Sequence, residues 1–458
     1  MPYIQLNRLF YYFILGYALE NIMEKQLIIK DIEVTLSKEE ELKSSILYST
    51  PIKQASEKIN FNLINPIFDV ELKENPITNQ RQSGRCWIFA SLNMLRYEAE
   101  KRLNIEKFEF SEGYLQFFDK IEKFNFALSR IEEYKDKPID DQYNIYALNT
   151  IIEDGGQFQM FVNLVNKYGL VPHGLMDGAS SSDDTNALNE TLKELLGCAA
   201  KEIRLEKEEK EIEKIKSKYL KKAYKLLCLA LGEPIKHFNY SYKDLNKKVV
   251  KLTNITPLEF AKLSIGDTLN EYVLLSSTES TQYPLYTKIA SKDCNNVIGA
   301  PLVTNFEVTK EEFLNAIKNS LDNNDALWFA GDVRKDSNRK KGYLTNNLLD
   351  KETLFDYKNI LSKGEKLDYR VTTNAHAMLF VGYGTNENGQ IDKFKVENSW
   401  GKDVGNSGYF VADRGWFDSY VYQVVVKRKY LNEDLLEKYK KAPTKLVNPF
   451  GTMWTMLD

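Results

Sequence analysis

What this chain can fold into is constrained most by one segment, Gln80-Arg81-Gln82-Ser83-Gly84-Arg85-Cys86-Trp87. In it, the side-chain amide of Gln80 lies six residues before Cys86, a cysteine that enters a helix. From that cysteine on, apolar residues recur at helical spacing, at Ile88, Leu92, Leu95, Ala99 and Leu103. The sequence predicts a core-packed helix beginning at Cys86, with Ser83 available as its N-cap. The positive end of a helix favours thiolate over thiol, so Cys86 is a candidate nucleophile and Gln80 a candidate oxyanion donor. The alternative is a small, buried, inert cysteine.

A predicted hairpin carries the second candidate pair. His376, one of three histidines, lies in an apolar run from Asn374 to Gly384 that ends in glycines. A five-residue loop, 385–389, contains Asn-Gly and leads into an alternating strand that ends at Asn398. If the loop is centred on Glu387, His376 faces Asn398 across the two strands.

Chemistry gives a reason for that pairing. A base that takes a proton from a thiol and returns it to a leaving amine must be held in one tautomer and orientation. The carbonyl oxygen of Asn398 can do this for His376, and Trp400 can shield the bond from water. Taken alone, His376 reads as a core histidine and Asn398 as a turn former at a strand end. Together with Gln80 and Cys86 they form a set recognised by its joint roles.

These motifs resemble those of papain-like cysteine peptidases, and the wider chain resembles their bleomycin hydrolase or aminopeptidase C branch. The resemblance runs from about Glu39 to Leu446. Further segments that match in order are 153–158, 161–163, 168–172, 232–234, 256–260, 328–333 and 415–426.

The resemblance implies an α+β, papain-like two-lobed fold with a helical lobe, an antiparallel sheet lobe and a helical insertion. It implies Cys86 as nucleophile, His376 as general base and acid, Asn398 as orienter and Gln80 as oxyanion donor. It places the segment containing Gly155 and Gly156 along the substrate cleft. Independently, two glycines either let a peptide approach bare backbone or simply form a turn. The resemblance also implies a homohexamer whose C-terminal arm lies in the cleft.

Cys86 and His376 are 290 residues apart, about twice the spacing in a simple papain-like enzyme. The sequence therefore predicts a large insertion between them. We expect five segments. They are an N-terminal extension (1–38), a helical lobe with the nucleophile (39–178), a mainly helical insertion (179–294), a sheet lobe with His376 and Asn398 (295–440) and a C-terminal arm (441–458). Within the insertion, residues 188–231 are predicted to be helical.

The composition limits the kinds of binding partner and ligand that the chain is expected to have. The chain has 62 basic and 65 acidic residues, so a generally polyanion-seeking protein is not indicated. The Lys- and Glu-rich run 201–222 is predicted to be a solvated helix face and not a nucleic-acid-binding surface. Four widely spaced cysteines without C-x-x-C indicate neither a zinc site nor a disulfide framework, and fit a reducing compartment. No cofactor or metal is indicated. His173 and His237 are predicted to be surface or packing residues without a second ligand or base beside them.

The apolar run 9–19 is the one feature that points toward a membrane. Eleven residues are too few to span a bilayer, and no small-residue cleavage site follows them. We therefore expect an N-terminal extension outside the enzyme, with Met23 as a start, and a cytoplasmic protein without a membrane span.

The sequence thus predicts a cytoplasmic thiol peptidase that hydrolyses N-terminal amide bonds of peptides through a thioester. Three alternatives stay open: a cysteine endopeptidase without exopeptidase restriction, an amine acyltransferase, and a non-catalytic oligomeric scaffold. Acyltransferases of this kind generally orient histidine with aspartate, whereas the orienter here is Asn398.

Overall fold

The structure, a computed structural model, describes residues 34–58 and 64–454. The chain divides into two compact units. In the smaller unit, Ser37 caps the helix Lys38–Ser49 in a reciprocal capping box with Glu40, and two short helices, Ile52–Ala55 and Lys351–Phe355, complete its described part.

The larger unit contains the remaining helices. Its described helices are Cys86–Leu103, Glu112–Glu133, Gln142–Asn149, Phe158–Tyr168, Ser180–Asp183, Asn186–Leu205, Glu209–Leu231, Pro257–Ile265, Lys310–Asp322, Lys363–Asp368, Arg414–Tyr420 and Glu433–Lys441.

One sheet of twelve described strands forms the other part of this unit. Its order is Thr444–Leu446, Lys288–Ala290, Thr304–Glu307, Tyr272–Ser276, Val421–Lys427, Leu327–Gly331, His376–Thr385, Ile391–Glu397, Tyr409–Asp413, Tyr343–Leu344 and Ser337–Asn338, with Val70–Glu71 also paired to His376–Thr385. Most neighbours are antiparallel. A separate hairpin pairs Phe238–Lys243 with Val249–Ile255.

The core lies between this sheet and the helix Cys86–Leu103, which packs against the strand His376–Thr385. All five residues of the predicted apolar stripe on that helix are buried. The central strand is buried along almost its whole length, as expected of a strand covered on both faces. Packing therefore fixes the start of the helix against the start of the strand.

The predicted helix over 188–231 is two helices, Asn186–Leu205 and Glu209–Leu231. The break occurs because the Glu206 carboxylate accepts hydrogen bonds from the backbone N–H groups of Lys207 and Glu208, at 2.8 and 3.0 Å. Such local bonds compete with continuation of a helix. The apolar residues Ile203, Ile212 and Tyr219 are buried, while the charged residues between them lie mainly on the outside.

No helix in the described part of the chain is long and apolar enough to cross a membrane. The apolar run 9–19 lies outside the described residues. The predicted five-segment boundaries stay a prediction.

Candidate active site

Cys86 is the first residue of its helix, and its side chain is fully buried. The positive end of the helix favours thiolate there. The N-cap residue is Arg85, which makes no side-chain capping bond, so the prediction that Ser83 caps the helix is wrong. Ser83 Oγ instead donates to the carbonyl oxygen of Gln80 at 2.5 Å and accepts from Arg85 Nε at 2.9 Å. The hydroxyl holds the turn that leads into the helix.

The strand His376–Thr385 meets the same cysteine. The backbone N–H of Ala377 donates to Cys86 Sγ at 3.5 Å. A hydrogen bond donated to sulfur favours its ionised form. The fold therefore brings the Cys86 thiol against the backbone amide group that follows His376, although Cys86 and His376 are 290 positions apart.

The imidazole of His376 is buried and paired with an amide. Its Nε2 lies 3.0 Å from Oδ1 of Asn398. Because an amide oxygen can only accept, this ring nitrogen carries the proton, and Nδ1 is the nitrogen available to accept one. The Trp400 indole stacks on the imidazole with 4.8 Å between ring centroids, and the Arg339 guanidinium lies 4.4 Å from the indole ring. The aromatic cover restricts water at the His376–Asn398 bond.

The hairpin itself is present, but its predicted register is wrong. Centring on Glu387 would pair Leu379 with Lys395, whereas Leu379 pairs with Glu397. The loop is 386–390, and two irregularities along the strands shift the register. The His376–Asn398 contact forms beyond the last paired residues of the two strands.

Gln80 is held by the residue that follows Asn398. The hydroxyl of Ser399 donates to Gln80 Oε1 at 2.7 Å, and the Gln80 backbone N–H donates to the Ser399 carbonyl at 2.8 Å. Gln80 Nε2 donates one of its two N–H groups to the Ser83 carbonyl at 2.6 Å. The amide orientation is therefore fixed, and its second N–H stays available. The role of Ser399 was not predicted, although it lies inside the Asn-Ser-Trp-Gly motif.

Asp154 is a second residue that the sequence reasoning missed. Its carboxylate accepts from the Gly84 N–H at 2.8 Å and from the Thr185 hydroxyl at 2.5 Å, and it pairs with Lys120 at 2.5 Å. Burial on its own raises the pKa, but Lys120 and the hydrogen bonds outweigh burial and hold the pKa of the Asp154 carboxyl well below its usual range. One buried carboxylate thus connects the turn before Cys86 to the loop that contains Gly155.

The side chain of Lys123, in the helix Glu112–Glu133, holds the loop that contains Gly155. Lys123 Nζ donates to the Gly155 carbonyl at 2.6 Å and pairs with Asp119 at 2.7 Å. A Cβ added to Gly156 would lie 2.4 Å from the indole of Trp87, so this position requires glycine. The structure therefore places Gly156 against Trp87, the residue next to Cys86. The sequence held one indication of the contact between Lys123 and Gly155. Lys120 and Lys123 are three residues apart in a helix that is otherwise largely buried.

A buried ion pair connects the two chain segments of the site. Arg96, on the Cys86 helix, donates to Glu397 at 2.7 Å, and both side chains are almost fully buried. Glu397 directly precedes Asn398. Burial raises the pKa of Glu397 to about 7, although Arg96 opposes the shift.

The two other histidines lie elsewhere. His237 is exposed. The prediction that His173 has no second ligand or base beside it is wrong, because its Nδ1 lies 3.2 Å from Asp177 and 3.9 Å from Glu112. The His173–Asp177 spacing of four is visible in the sequence. The approach of Glu112 depends on a tertiary contact.

A thiol at the start of a buried helix, in contact with the strand whose histidine pairs with an asparagine, is the arrangement of a papain-like cysteine peptidase. The chain belongs to the Peptidase C1-like family, whose model matches residues 31–453. The predicted family and fold class are therefore confirmed, as is the enzyme class, a thiol peptidase.

Relatives match over most of the chain. Aminopeptidase C of Listeria innocua serovar 6a is 32% identical over 406 residues, covering 88% of this chain and 92% of the relative. Aminopeptidase E of Lactobacillus helveticus is 37% identical over 371 residues, covering 80% and 84%. The crystal structure of PepW from Lactobacillus rhamnosis HN001 is similar with a TM-score of 0.88 and 31% identity, covering 94% of this chain and 99% of that one.

Proposed function

We propose that this chain is a cysteine aminopeptidase that hydrolyses the N-terminal amide bond of peptides through a thioester acyl-enzyme. The observation that carries the proposal is the His376–Asn398 pair, at 3.0 Å, on the strand whose next N–H contacts Cys86 Sγ. The names of the relatives, aminopeptidases C and E, support the exopeptidase restriction.

In the first step, the Cys86 thiolate attacks the carbonyl carbon of the peptide bond. His376 Nδ1 accepts the thiol proton and then delivers it to the leaving amine, while Asn398 holds the ring through Nε2. The C–N bond breaks and a thioester remains. Water, deprotonated by the same imidazole, then hydrolyses the thioester and restores the thiol.

Gln80 is the oxyanion donor in this mechanism. The negative charge that develops on the carbonyl oxygen needs a donor already fixed in place, and bonds to Ser399 and Ser83 fix the Gln80 amide. Gly155 and Gly156 are the proposed substrate-binding residues, which would contact an extended peptide through their backbone, although the Gly155 carbonyl itself is committed to Lys123.

The C-terminal arm provides the restriction to N-terminal residues. Its described part is pinned near the site, because the Asn374 N–H donates to the Thr452 carbonyl at 3.2 Å, two residues before His376. In the family that the chain resembles, the terminal carboxylate pairs with the substrate α-amino group. The last four residues, 455–458, lie outside the described residues.

The setting is part of the same proposal. A reducing, cytoplasmic compartment suits an enzyme in whose structure none of the four cysteines forms a disulfide. The homohexamer follows from the resemblance, and mass photometry tests it directly. Six chains per particle are expected, and a monomeric enzyme with full activity would contradict it.

The test of function uses fluorogenic aminoacyl amides with a free or an acetylated N-terminus. We expect hydrolysis of the free-amine substrates, loss of turnover with a thiol alkylator, and loss of turnover in Cys86→Ser. The matched control is Cys198→Ser, which removes an exposed thiol and should leave turnover unchanged. Undiminished turnover in Cys86→Ser would reject the mechanism. Equal turnover of free and acetylated substrates would indicate an endopeptidase, and transfer to an added amine in place of hydrolysis would indicate an acyltransferase.

A further inference from the structure

An arginine covers the indole of Trp400, the same ring that stacks on His376. The ring centroids of Trp400 and His376 are 4.8 Å apart, and the guanidinium carbon of Arg339 lies 4.4 Å from the centre of the indole ring. Trp400 is partly exposed and Arg339 is exposed. A guanidinium that solvent can reach therefore lies one aromatic ring away from the proposed general base.

Backbone bonds fix the segment that carries Arg339. The Arg339 carbonyl accepts from the Gly405 N–H, and the Asn338 carbonyl accepts from the Gly342 N–H, both at 2.9 Å. Gly342 has a φ of +75°, and a Cβ there would lie 2.9 Å from a backbone nitrogen of the loop 401–408, so the turn requires glycine. The arginine is thus held against the loop that follows Trp400.

The charge of Arg339 is not matched by an acidic side chain. Its neighbour Arg334 pairs with Asp332, with Nε 2.9 Å from Oδ1 and Nη2 3.2 Å from Oδ2. In the part of the chain that the structure describes, no carboxylate pairs with Arg339. Burial and the charge of Arg334 both lower the pKa of the Arg339 guanidinium. A guanidinium in this setting favours the approach of an anion, because an anion offsets the repulsion between the two arginines.

The surface around Arg339 adds to the positive charge. Residues 334–341 include five basic residues and one acidic residue, Asp336, whose carboxylate accepts from a tyrosine hydroxyl at 2.5 Å. Lys340 and Lys341 are exposed. A concentration of one sign of charge beside a cleft attracts ligands of the opposite sign.

The peptidase mechanism places the leaving half of the substrate beside this arginine. His376 returns a proton to the amine that leaves, so the first residue after the cleaved bond must lie within hydrogen-bond reach of the imidazole. Trp400 covers that imidazole, and Arg339 covers Trp400. A carboxylate on the first residue after the cleaved bond therefore meets Arg339 across the edge of the indole.

We infer that Arg339 is a specificity-determining residue that binds a carboxylate on the first residue after the cleaved bond. That carboxylate is either an aspartate or glutamate side chain or the C-terminus of a dipeptide. The planar guanidinium suits either one, because it pairs with carboxylates through two parallel N–H bonds. The inference rests on the proposed aminopeptidase function and names its substrate class, peptides with an acidic second residue and dipeptides.

Two sets of peptides distinguish the sources of the carboxylate. Leu-Glu-Gly-amide, Leu-Gln-Gly-amide and Leu-Lys-Gly-amide test the side chain, and Leu-Gly against Leu-Gly-amide tests the chain end. Leucine release by the full-length enzyme gives kcat/KM for each peptide. We expect the glutamate peptide to exceed the glutamine peptide by about threefold or more, with the lysine peptide slowest. Added NaCl should reduce this preference, because salt screens exposed charges.

Charge variants at Arg339 test the assignment through ratios of kcat/KM, which cancel any general change in activity. Arg339→Gln should bring the glutamate-to-glutamine ratio to about 1, and Arg339→Glu should reverse the preference in favour of the lysine peptide. A merely structural role would lower all rates alike. Arg102→Gln is the matched control, since it removes an exposed arginine at the far end of the helix Cys86–Leu103, and should keep the wild-type ratio.

The possible outcomes separate this inference from the proposed function. A preference for Leu-Gly over its amide that Arg339→Gln abolishes would support the chain end as a source of the carboxylate. The inference is overturned if the wild-type enzyme prefers neither carboxylate over its amide, or if both Arg339 variants keep the wild-type ratios. Either result leaves the aminopeptidase function in place. Hydrolysis of none of the five peptides would reject the proposed function, and the inference with it.

Discussion

Ser399 Oγ donates to Gln80 Oε1 at 2.7 Å, so the residue that follows Asn398, the proposed orienter, also holds Gln80, the proposed oxyanion donor. Gln80 and Asn398 are 318 positions apart in the chain, yet Ser399 aligns them. The two halves of the proposed catalytic machinery are therefore mechanically connected. A change at Ser399 should affect transition-state stabilisation without removing a reacting group.

Gln80→Ala should lower kcat by roughly 10²-fold or more, because one prepositioned donor to the oxyanion is lost. Ser399→Ala should lower kcat less, since the Gln80 amide keeps its bond to Ser83. Gln82→Ala is the matched control, because its side chain is exposed. Steady-state kinetics on an aminoacyl amide measure all three. A rise in KM alone for Gln80→Ala would make Gln80 a binding residue.

His376→Ala should nearly abolish hydrolysis, because no other histidine lies beside the thiol. Asn398→Ala should be milder, since it removes the group that orients the ring and leaves the base in place. His237→Ala and Asn388→Ala change exposed residues of the same types and should retain full turnover. Single-turnover rates separate these steps from product release. An Asn398→Ala variant with unchanged rate would show that the bond to Asn398 is not needed to orient the imidazole.

Asp154→Asn should destabilise the protein by about 3–5 kcal/mol, because it leaves the buried Lys120 without its carboxylate. It should also lower kcat about 10-fold or more if Asp154 positions Gly84 before the nucleophile. Adding Lys120→Met should recover stability but not kcat. Asp140→Asn, at an exposed site, is the control. Recovery of both properties in the double variant would limit Asp154 to a structural role.

The site residues that could be predicted from sequence are those whose chemistry is local. Cys86 is marked by the helical spacing of the apolar residues that follow it, and His376 by the apolar strand that contains it. Each motif can be recognised within a single predicted element. Asp154 and Ser399 could not be found in this way. Their partners, Gly84 and Gln80, lie 70 and 319 positions away, and only the folded chain brings them together.

The errors in the predicted fold have equally specific causes. The hairpin register depended on two irregularities that no alternation pattern reveals. The long helix over 188–231 is broken by side-chain bonds of Glu206 in an otherwise helix-favouring sequence. His173 is exposed, as predicted, but it was expected to have no ligand or base beside it, because Glu112, its neighbour in space, is 61 positions earlier in the chain.

Glu397→Gln should show a destabilisation that shrinks as pH rises. The pKa of Glu397 is raised from 4.5 to about 7 by burial, so the unfolded chain ionises this group first. The free energy of unfolding of the wild-type protein therefore decreases as pH rises from about 4.5 to 7, relative to that of the Glu397→Gln variant, which has no carboxyl group to ionise at this position. Denaturant unfolding at several pH values measures this, with the exposed Glu387→Gln as control. A destabilisation that grows with pH would mean that the pair with Arg96 outweighs burial.

The last prediction concerns the C-terminal arm, whose described end is packed into the protein. The Phe450 ring lies 4.9 Å from that of Tyr143, the Thr452 hydroxyl donates to the Leu367 carbonyl at 3.0 Å, and Trp454 is 1% exposed. Deleting residues 450–458 should lower turnover of substrates with a free N-terminus and raise internal cleavage of N-blocked peptides, because the deletion removes the arm that we propose closes the cleft.

A shorter deletion, 455–458, separates the packed arm from its end. It keeps the contacts of Phe450, Thr452 and Trp454, so the fold should be unaffected, and it removes the residues that extend past the buried tryptophan. If those residues obstruct the cleft until they are trimmed, this variant should hydrolyse free-amine substrates faster than the full chain and still reject N-blocked ones. Circular dichroism and melting temperature report whether each deletion folds. Should the full chain and both deletions treat free and blocked N-termini alike, the arm does not set specificity, and the enzyme is a cysteine peptidase without exopeptidase restriction.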